Sequence, residues 1–383
     1  MTTTKNNEHK KLNFSSEREQ NQACLNSAKH EKNQGRKVLN VPNLRFKEFQ
    51  GEWVGKTIGD IAPLQRGFDL PTGQINNGKF PVVYSNGIMN YHSSYKCVAP
   101  GLITGRSGTI GKFTYIEDGY YWPHNTSLWV TNFYDNNPKF IYYLYQTIRI
   151  GQYSMGSGVP TLNRNNVHRH QTFIPKLEEQ KKIATFLSLL DERIATQSKI
   201  IDKLQSLIKG IGKQLFMDNQ NWRTVRIGEL LRIGNGKDYK HLGIGKIPVY
   251  GTGGQMLLVN DYLYDGESVC IGRKGTIDTP MFLKGKFWTV DTLFYTYDFK
   301  DVLPKFCYYL FLQINWKLYN EGTGVPSLSK STIENIKVKI PSLEQQQKIC
   351  SVLDCYEHKT KSEEQILELY LSEKQYLLRQ MFI

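Results

Sequence analysis

The chain has 383 residues, with 49 Lys and Arg against 35 Asp and Glu, so its formal net charge is +14. At roughly 100–200 residues per domain this length predicts two or three domains, and the 39% of hydrophobic residues exclude global disorder. No apolar run approaches the ~18 residues of a membrane span, and the amino terminus has no apolar signal core, so we expect a cytoplasmic protein with no membrane partner. The positive excess makes a polyanion the first candidate partner.

Residues 1–39 are polar and rich in Lys, Asn, Gln and Glu, which predicts a disordered basic tail. From residue 40 onward the sequence consists of two copies of one repeat unit. Blocks recur in the same order at nearly constant spacing: WVGKTIGDI at 53–61 and WRTVRIGEL at 222–230, GRSGTI at 105–110 and GRKGTI at 272–277, WPHNT at 122–126 and WTVDT at 288–292, PKFIYYL at 138–144 and PKFCYYL at 304–310, GSGVPTLN at 156–163 and GTGVPSLS at 322–329, PKLEEQKKI at 175–183 and PSLEQQQKI at 341–349. This pattern indicates a tandem duplication, and two copies are too few for a solenoid.

Each copy begins with a globule, predicted over 40–175 in the first copy and 222–340 in the second. Short apolar runs punctuated by Gly, Pro and Asn predict strands and tight loops there. The segment 138–150 has helical spacing of its apolar residues. We therefore predict two mixed α/β globules, with Trp53, Trp222, Trp122 and Trp288 in their cores rather than serving as stacking platforms.

Each globule is followed by a long helix, predicted as a central spacer over 176–221 and a C-terminal spacer over 341–383. Steps of four and three residues between apolar positions are typical of a coiled-coil seam. The seam comprises Ile183, Leu187, Leu190, Ile194, Ile201, Leu204 and Ile208, then Leu353, Leu367 and Leu377. Two helices of about forty residues, each ~60 Å long, would pack antiparallel, because the second globule intervenes between them. The alternative is that they are ordinary core helices.

The order of the segments also predicts a circular permutation. The first helix runs on through LFMDNQNW into the second globule, whereas the second helix ends at QMFI and the first globule is entered through RFKEFQGEW. If the duplication is permuted in this way, residues 44–52 should lie close to Phe382.

Catalytic motifs are absent from the sequence. GRSGTIGK at 105–112 resembles a phosphate loop, but its spacing is wrong and Phe113 stands where Ser or Thr would bind magnesium. The histidines lack metal-ligand spacing, and the six cysteines form no Cys-x-x-Cys pair, which fits a reducing compartment. We therefore predict a recognition module, not an enzyme, with no cofactor and no metal of its own.

Gly-rich loops that carry Arg, Lys, Asn and hydroxyl groups suit contact with DNA, since Arg pairs with guanine and Asn with adenine. The candidate DNA-binding residues of the first copy are Arg66, Tyr84, Ser85, Asn86, Arg106, Ser107, Lys112, Arg164 and Asn165. Those of the second copy are Lys237, Tyr250, Thr252, Arg273, Lys274, Ser329 and Lys330. Arg106 and Arg273 could equally be structural arginines that hold a shared loop. Positions kept in both copies favour a role in the fold, and positions that differ favour sequence readout.

The ordered set of duplicated blocks resembles the DNA-specificity subunit of type I restriction–modification systems. The resemblance rests on the W…IGDI entry, the GSGVP[TS]L block and the P.LEEQKKI helix start, and NVPNLRFKEFQGEW at 40–53 is similar to the entry of that family. It covers roughly residues 40–383. It implies an α+β fold in which two pseudo-symmetric target-recognition domains are separated by two long antiparallel coiled-coil helices, as a circularly permuted tandem repeat.

The resemblance also implies a function and partners. The chain would recognise a bipartite, asymmetric target in double-stranded DNA, with half-site centres about 10–10.5 bp apart, and would position two methyltransferase subunits and the restriction/translocase subunits. S-adenosylmethionine, ATP and magnesium would belong to those partners. The alternatives are a stand-alone DNA-binding regulator or antagonist without an enzyme partner, and a coiled-coil scaffold whose globules bind protein.

Overall fold

The computed structural model describes residues 39–155, 158–217 and 221–383. The predicted tail therefore lies outside the described residues, apart from Leu39. The described part of the chain divides into two compact units, one formed by its residues up to Leu190 with Glu373–Ile383 and the other lying within Asp191–Ser372. Each long helix contributes one part to each unit.

The first unit is built from short strands and three short helices, followed by the start of a long helix. Its strands are β1 (Val54–Thr57), β2 (Leu64–Arg66), β3 (Phe80–Tyr84), β4 (Gly87–His92), β5 (Cys97–Val98), β6 (Gly101–Gly105), β7 (Phe113–Ile116), β8 (Tyr120–Pro123), β9 (Ser127–Val130), β10 (Ser154–Met155), β11 (Thr161–Leu162) and β12 (Gln171–Ile174). Its helices are α1 (Ile58–Ile61), α2 (Pro138–Thr147), α3 (Arg164–His168) and the first part of α4 (Leu177–Met217). Two four-stranded sheets, in the orders β2-β9-β6-β7 and β4-β3-β8-β5, form its centre.

The second unit repeats this order of elements. Its strands are β13 (Arg223–Arg226), β14 (Arg232–Asn235), β15 (Ile244–Gly251), β16 (Gly254–Val259), β17 (Tyr264–Gly272), β18 (Met281–Thr289), β19 (Leu293–Tyr297) and β20 (Lys337–Ile340). Its short helices are α5 (Ile227–Leu230), α6 (Pro304–Gln313) and α7 (Lys330–Asn335), and the second long helix is α8 (Leu343–Met381). One six-stranded sheet has the order β14-β19-β17-β18-β15-β16.

The two sheet arrangements are versions of one topology. Strands β17 and β18 are each nine residues long, whereas the corresponding stretches of the first unit are each split into two strands, β5 with β6 and β7 with β8. Pro100 lies at the first of these breaks and has no N–H to donate, so a ladder cannot run through it. One continuous sheet in the second unit therefore corresponds to two shorter ones in the first.

An aromatic triad in each unit shows the circular permutation directly. In the first unit, Trp53, Phe140 and Phe382 pack together, with ring centroids 5.3–6.4 Å apart. In the second unit Trp222, Phe306 and Phe216 pack in the same way, at 5.2–6.1 Å. The C-terminal phenylalanine thus takes the place that an internal one takes in the second copy.

A backbone hydrogen bond also joins the entry of the first globule to the end of α8, because Leu44 N–H donates to the carbonyl of Gln380 at 2.9 Å. The prediction that residues 44–52 lie near Phe382 is confirmed. The expected core positions of Trp53, Trp222, Trp122 and Trp288 are confirmed too, since at most 8% of any of these side chains is exposed.

A buried glutamine anchors the start of each long helix. The side-chain amide of Gln180 donates to the backbone carbonyl of Pro175 and to Oδ1 of Asn136, both at 3.0 Å. Its oxygen accepts the N–H of Asn137 at 2.9 Å. Gln346 makes a similar set of three bonds, since its amide donates to the carbonyls of Pro341 and Asp301 and its oxygen accepts the N–H of Leu303. The glutamine shared by LEEQKKI and LEQQQKI therefore joins helix to globule.

None of the predicted seam residues is exposed. Within the second unit the helices run antiparallel, because Gln197 contacts Glu363, whereas Phe216, later in α4, shares a core with Ile349, earlier in α8. In the first unit Ile183 and Leu187 of α4 are buried, as is Leu377 of α8.

The fold is α+β, with two similar mixed domains in tandem and long helices after each. None of the helices in the described residues is long and apolar enough to cross a bilayer.

Candidate nucleic-acid interface

A basic cleft of about 730 Å³ opens on the first unit at the ends of three elements. Three guanidinium groups line it. Arg66 ends β2, Arg106 follows β6, and Arg164 begins α3. The other residues of this first cleft are Gln65, Gly67, Phe68, Asp69, Leu128, Met155, Thr161, Leu162, Asn163 and Asn165.

The backbone of the first cleft is held by hydrogen bonds between loops. Arg106 donates its N–H to the carbonyl of Thr126 at 2.9 Å and accepts the N–H of Leu162 at 2.7 Å. The side chain of Asn163 accepts the N–H of Asn165 at 3.0 Å and so caps α3. These bonds place the arginine side chains on rigid backbone, which favours defined contacts with a ligand.

A short chain of polar contacts orients Arg66. Its Nη2 lies 2.8 Å from Oδ1 of Asp69, and the amide of Asn125 donates to the same oxygen. Both partners of the ion pair are exposed, so it contributes only about 0–1 kcal/mol to stability. Its consequence is geometric, because the carboxylate restricts where the guanidinium can point.

The second unit has an equivalent cleft of about 410 Å³. Its residues are Asn235, Arg273, Lys274, Phe294, Glu321, Ser327, Leu328, Ser329 and Lys330. The backbone bonds repeat, since Arg273 donates to Thr292 at 2.8 Å and accepts from Leu328 at 2.9 Å. Ser329 caps α7 by accepting the N–H of Thr332 at 3.2 Å. The two clefts therefore share one backbone frame, meaning the same pattern of hydrogen bonds between the loops that form them.

The two clefts differ in the side chains that this frame carries. Glu321 stands where the first copy has Met155, and its carboxylate accepts hydrogen bonds from the hydroxyls of Thr332 and Ser329. These bonds, that of Thr332 foremost, lower the pKa of Glu321. Lys330 stands where the first copy has Arg164. The second cleft thus holds an ionised carboxylate among its cations.

The structure brings half of the predicted DNA-binding residues into the two clefts. These are Arg66, Arg106, Arg164 and Asn165 in the first and Arg273, Lys274, Ser329 and Lys330 in the second. Ser107 adjoins the first cleft through a bridge to Thr161.

The other candidates lie elsewhere. Tyr84, Ser85 and Asn86 belong to the end and turn of the β3–β4 hairpin, where Lys112 Nζ donates to the carbonyl of Asn86 at 2.6 Å. In the second unit Tyr250 packs on a buried cluster with Cys270, and Thr252 lies in the β15–β16 turn. The backbone of Lys237 makes two hydrogen bonds. Its N–H donates to the carbonyl of Thr289 at 2.8 Å, and its carbonyl accepts from Trp288 Nε1 at 2.8 Å.

Several polar residues that line the clefts were not among those predicted from the sequence. They are Gln65, Asp69, Thr161 and Asn163 in the first cleft and Asn235, Glu321 and Ser327 in the second. Aligning the repeats residue by residue would have found Asn235, because QRG at 65–67 corresponds to GNG at 234–236. The part of the chain that the structure describes contains no group of three or more His, Cys, Asp or Glu that could hold a metal ion.

Two equivalent basic clefts on tandem globular domains are typical of a nucleic-acid recognition protein. The family model of the type I restriction modification DNA specificity domain matches this chain twice, at residues 50–206 and 219–369. The chain belongs to that family, which confirms the resemblance seen in the sequence.

Curated relatives agree with the family match. A type I restriction enzyme MjaVIII specificity subunit of Methanocaldococcus jannaschii is 25% identical over 55% of this chain and 62% of the relative. A type I restriction enzyme EcoDI specificity subunit of Escherichia coli is 28% identical over 35% of this chain and 31% of the relative. The chain thus spans less than two thirds of the length of these relatives.

Solved structures share the fold. The S subunit of a type I restriction–modification system from M. genitalium superposes with a TM-score of 0.62 at 18% identity, covering 90% of this chain and 99% of that one. A chain from a structural study of complex assembly and conformational transition of the type I R-M system gives a TM-score of 0.52 at 14% identity, covering 85% of this chain and 96% of that one. At these identities the similarity shows the architecture.

Proposed function

We propose that this chain is the specificity subunit of a type I restriction–modification complex and recognises a bipartite, asymmetric target in double-stranded DNA. The observation that carries the proposal is the pair of equivalent clefts, which keep one backbone frame and change its side chains. Because the two clefts share their backbone hydrogen bonds, we expect both domains to dock on DNA in the same way. Because their side chains differ, we expect the two half-sites to differ in sequence.

The proposal assigns the chemistry to other subunits. Two methyltransferase subunits and the restriction/translocase subunits would be partners in the cytoplasm, where they would supply S-adenosylmethionine, ATP and magnesium chemistry. This chain would supply recognition alone. Its family membership favours this function over a stand-alone DNA-binding regulator.

The test is methylation mapping. Co-expression of the chain with the methyltransferase subunit of its own system, in a host without adenine methylation, should produce one methylated motif with two specified parts and an unspecified gap. Long-read sequencing of the host DNA detects it. Absence of any motif, with both subunits present and bound to each other, would overturn the proposal.

Exchange of residues 53–175 for the same region of a relative should change one half-site and leave the other intact. The physical reason is that each cleft is formed within a single unit. Exchange of 222–340 is the matched control and should change the other half. If either exchange alters both halves of the motif, independent recognition by the two domains is wrong.

A further inference from the structure

Arg66 and Asn235 occupy equivalent positions in the two units. Arg66 is the last residue of β2 and pairs with Leu128 of β9. Asn235 is the last residue of β14 and pairs with Phe294 of β19. Each side chain is exposed and lines the cleft of its own unit. The same strand register thus presents a different side chain in each cleft.

The glycine that follows each position fixes the backbone there. Gly67 donates its N–H to the carbonyl of Ser127 at 3.0 Å, and Gly236 donates to that of Leu293 at 3.1 Å. A Cβ atom on Gly67 would lie 2.2 Å from the carbonyl oxygen of His124, and one on Gly236 would lie 1.9 Å from the equivalent oxygen. Only glycine fits at either position, so both units share this backbone path and differ here in the side chains of residues 66 and 235.

The two side chains present different hydrogen-bonding groups to a base edge. Arg66 has five N–H donors, and the carboxylate of Asp69 holds its Nη2 while the rest of the fork remains for a ligand. Guanine offers two acceptors, O6 and N7, in the major groove, which match a guanidinium. Asn235 offers one acceptor and two donors, which match N6 and N7 of adenine.

We infer that residues 66 and 235 are the equivalent specificity-determining positions of the two domains, with Arg66 selecting guanine in one half-site and Asn235 selecting adenine in the other. This inference rests on the proposed function. It assigns one base pair of each half-site to one residue, and it makes Asp69 a positioning residue that acts through Arg66.

The test is selection from a pool of randomised DNA duplexes by the full chain, followed by sequencing of the bound fraction. The wild-type chain should enrich a two-part motif. Arg66→Asn should change one guanine position of one half-site to adenine, and Asn235→Arg should change one adenine position of the other half-site to guanine. A bidentate pair discriminates against the wrong base by roughly tenfold or more, so the change is measurable.

Three further variants keep the result interpretable. Arg66→Gln carries the same amide on a longer side chain and should select adenine even if the shorter side chain of Arg66→Asn does not reach the base. Arg232→Asn makes the same charge change on β14 outside the second cleft and should leave both half-sites unaltered. Asp69→Asn should weaken the guanine preference at the Arg66 position without selecting a new base.

The outcomes separate the inference from the proposed function. A wild-type chain that enriches no motif, alone or with its methyltransferase subunit, overturns both. A wild-type motif that Arg66→Asn, Arg66→Gln and Asn235→Arg leave unchanged, or weaken equally at every position, overturns the inference alone. A change confined to one base pair for each variant supports it.

Discussion

At the residue scale, single buried polar side chains join elements of the fold, and the sequence around them does not indicate this role. Gln180 and Gln346 are buried and each makes three hydrogen bonds that tie a long helix to a globule. Removing such a side chain leaves buried backbone groups without partners, and this desolvation cost exceeds the value of the bonds themselves.

Gln180→Leu should therefore lower the free energy of unfolding by about 2–4 kcal/mol. Denaturant unfolding followed by tryptophan fluorescence measures this, since Trp53 lies in the same unit. Gln214→Leu makes the same substitution at an exposed position of α4 and should change stability little. Equal effects of the two substitutions would contradict the anchoring role.

We expect His168 to make the first unit sensitive to acid. Its Nε2 accepts the N–H of Leu64 at 2.8 Å, which requires the neutral ring. Burial, with the charge of Arg164 acting in the same direction, lowers the pKa of His168. Because the folded pKa lies below the unfolded value of about 6.5, the unfolded state binds more protons as the pH falls. The stabilisation is complete above that value and is lost below it.

The melting temperature of the first unit should thus fall between about pH 7 and pH 5. His168→Gln, which keeps an acceptor that does not titrate, should make this fall shallower. Thermal unfolding across that range measures it. His124 and His170 also have lowered pKa values because of burial, so a remaining slope is expected. An unchanged slope would show that His168 does not control it.

At the element scale, a polar pair interrupts the apolar seam between α4 and α8 in the second unit. Gln197 Nε2 donates to both the carbonyl and the carboxylate of Glu363, at 3.0 and 2.5 Å, and both side chains are buried. Lys359 pairs with the same carboxylate, and its hydrogen bond, followed by that of Gln197, lowers the pKa of Glu363. Buried polar groups in a seam fix its register at a cost in stability.

The double variant Gln197→Leu with Glu363→Leu should melt at a higher temperature than either single variant. Each single change removes the hydrogen bond between the two side chains and leaves one buried polar side chain in the seam, whereas the double change leaves two apolar side chains in contact. Thermal unfolding of the four proteins forms a double-mutant cycle. Additive effects in that cycle would show that the two side chains do not interact.

At the scale of the whole molecule, the globules and the N-terminal segment carry the entire charge excess of +14, and the spans 176–221 and 341–383 sum to zero. Cations that neutralise phosphates release counterions from DNA, so binding weakens as salt rises. The concentration of positive charge on the globules predicts that this electrostatic contribution comes from the domains rather than from the helices.

Affinity for a target duplex should accordingly fall steeply between about 50 and 200 mM salt. Arg106→Ala and Arg273→Ala should each reduce the slope of log affinity against log salt by about one if the side chain contacts a phosphate. Titrations by fluorescence anisotropy give the slope. Wild-type slopes in both variants would identify the two residues as structural arginines that hold the shared loop.

The sequence alone determined the duplication, the two long helices, the circular permutation and the family, because each depends on order and periodicity along the chain. Repeated blocks mark equivalent backbone, and the step of three or four residues marks a helix face whether or not its partner is known. Trp53 and Trp222 could be placed in the core for the same reason.

Only the tertiary structure decided which polar residues share a cleft. Arg66, Arg106 and Arg164 are distant in sequence and line one cleft because two strands end and one helix begins there. Tyr84 and Tyr250 carry suitable chemistry but lie outside the two clefts. The roles of Asp69, Gln180 and Glu321 depend on hydrogen bonds between segments far apart in the chain or around a helix cap. Such contacts are set by packing in three dimensions, which local patterns of residue type do not encode.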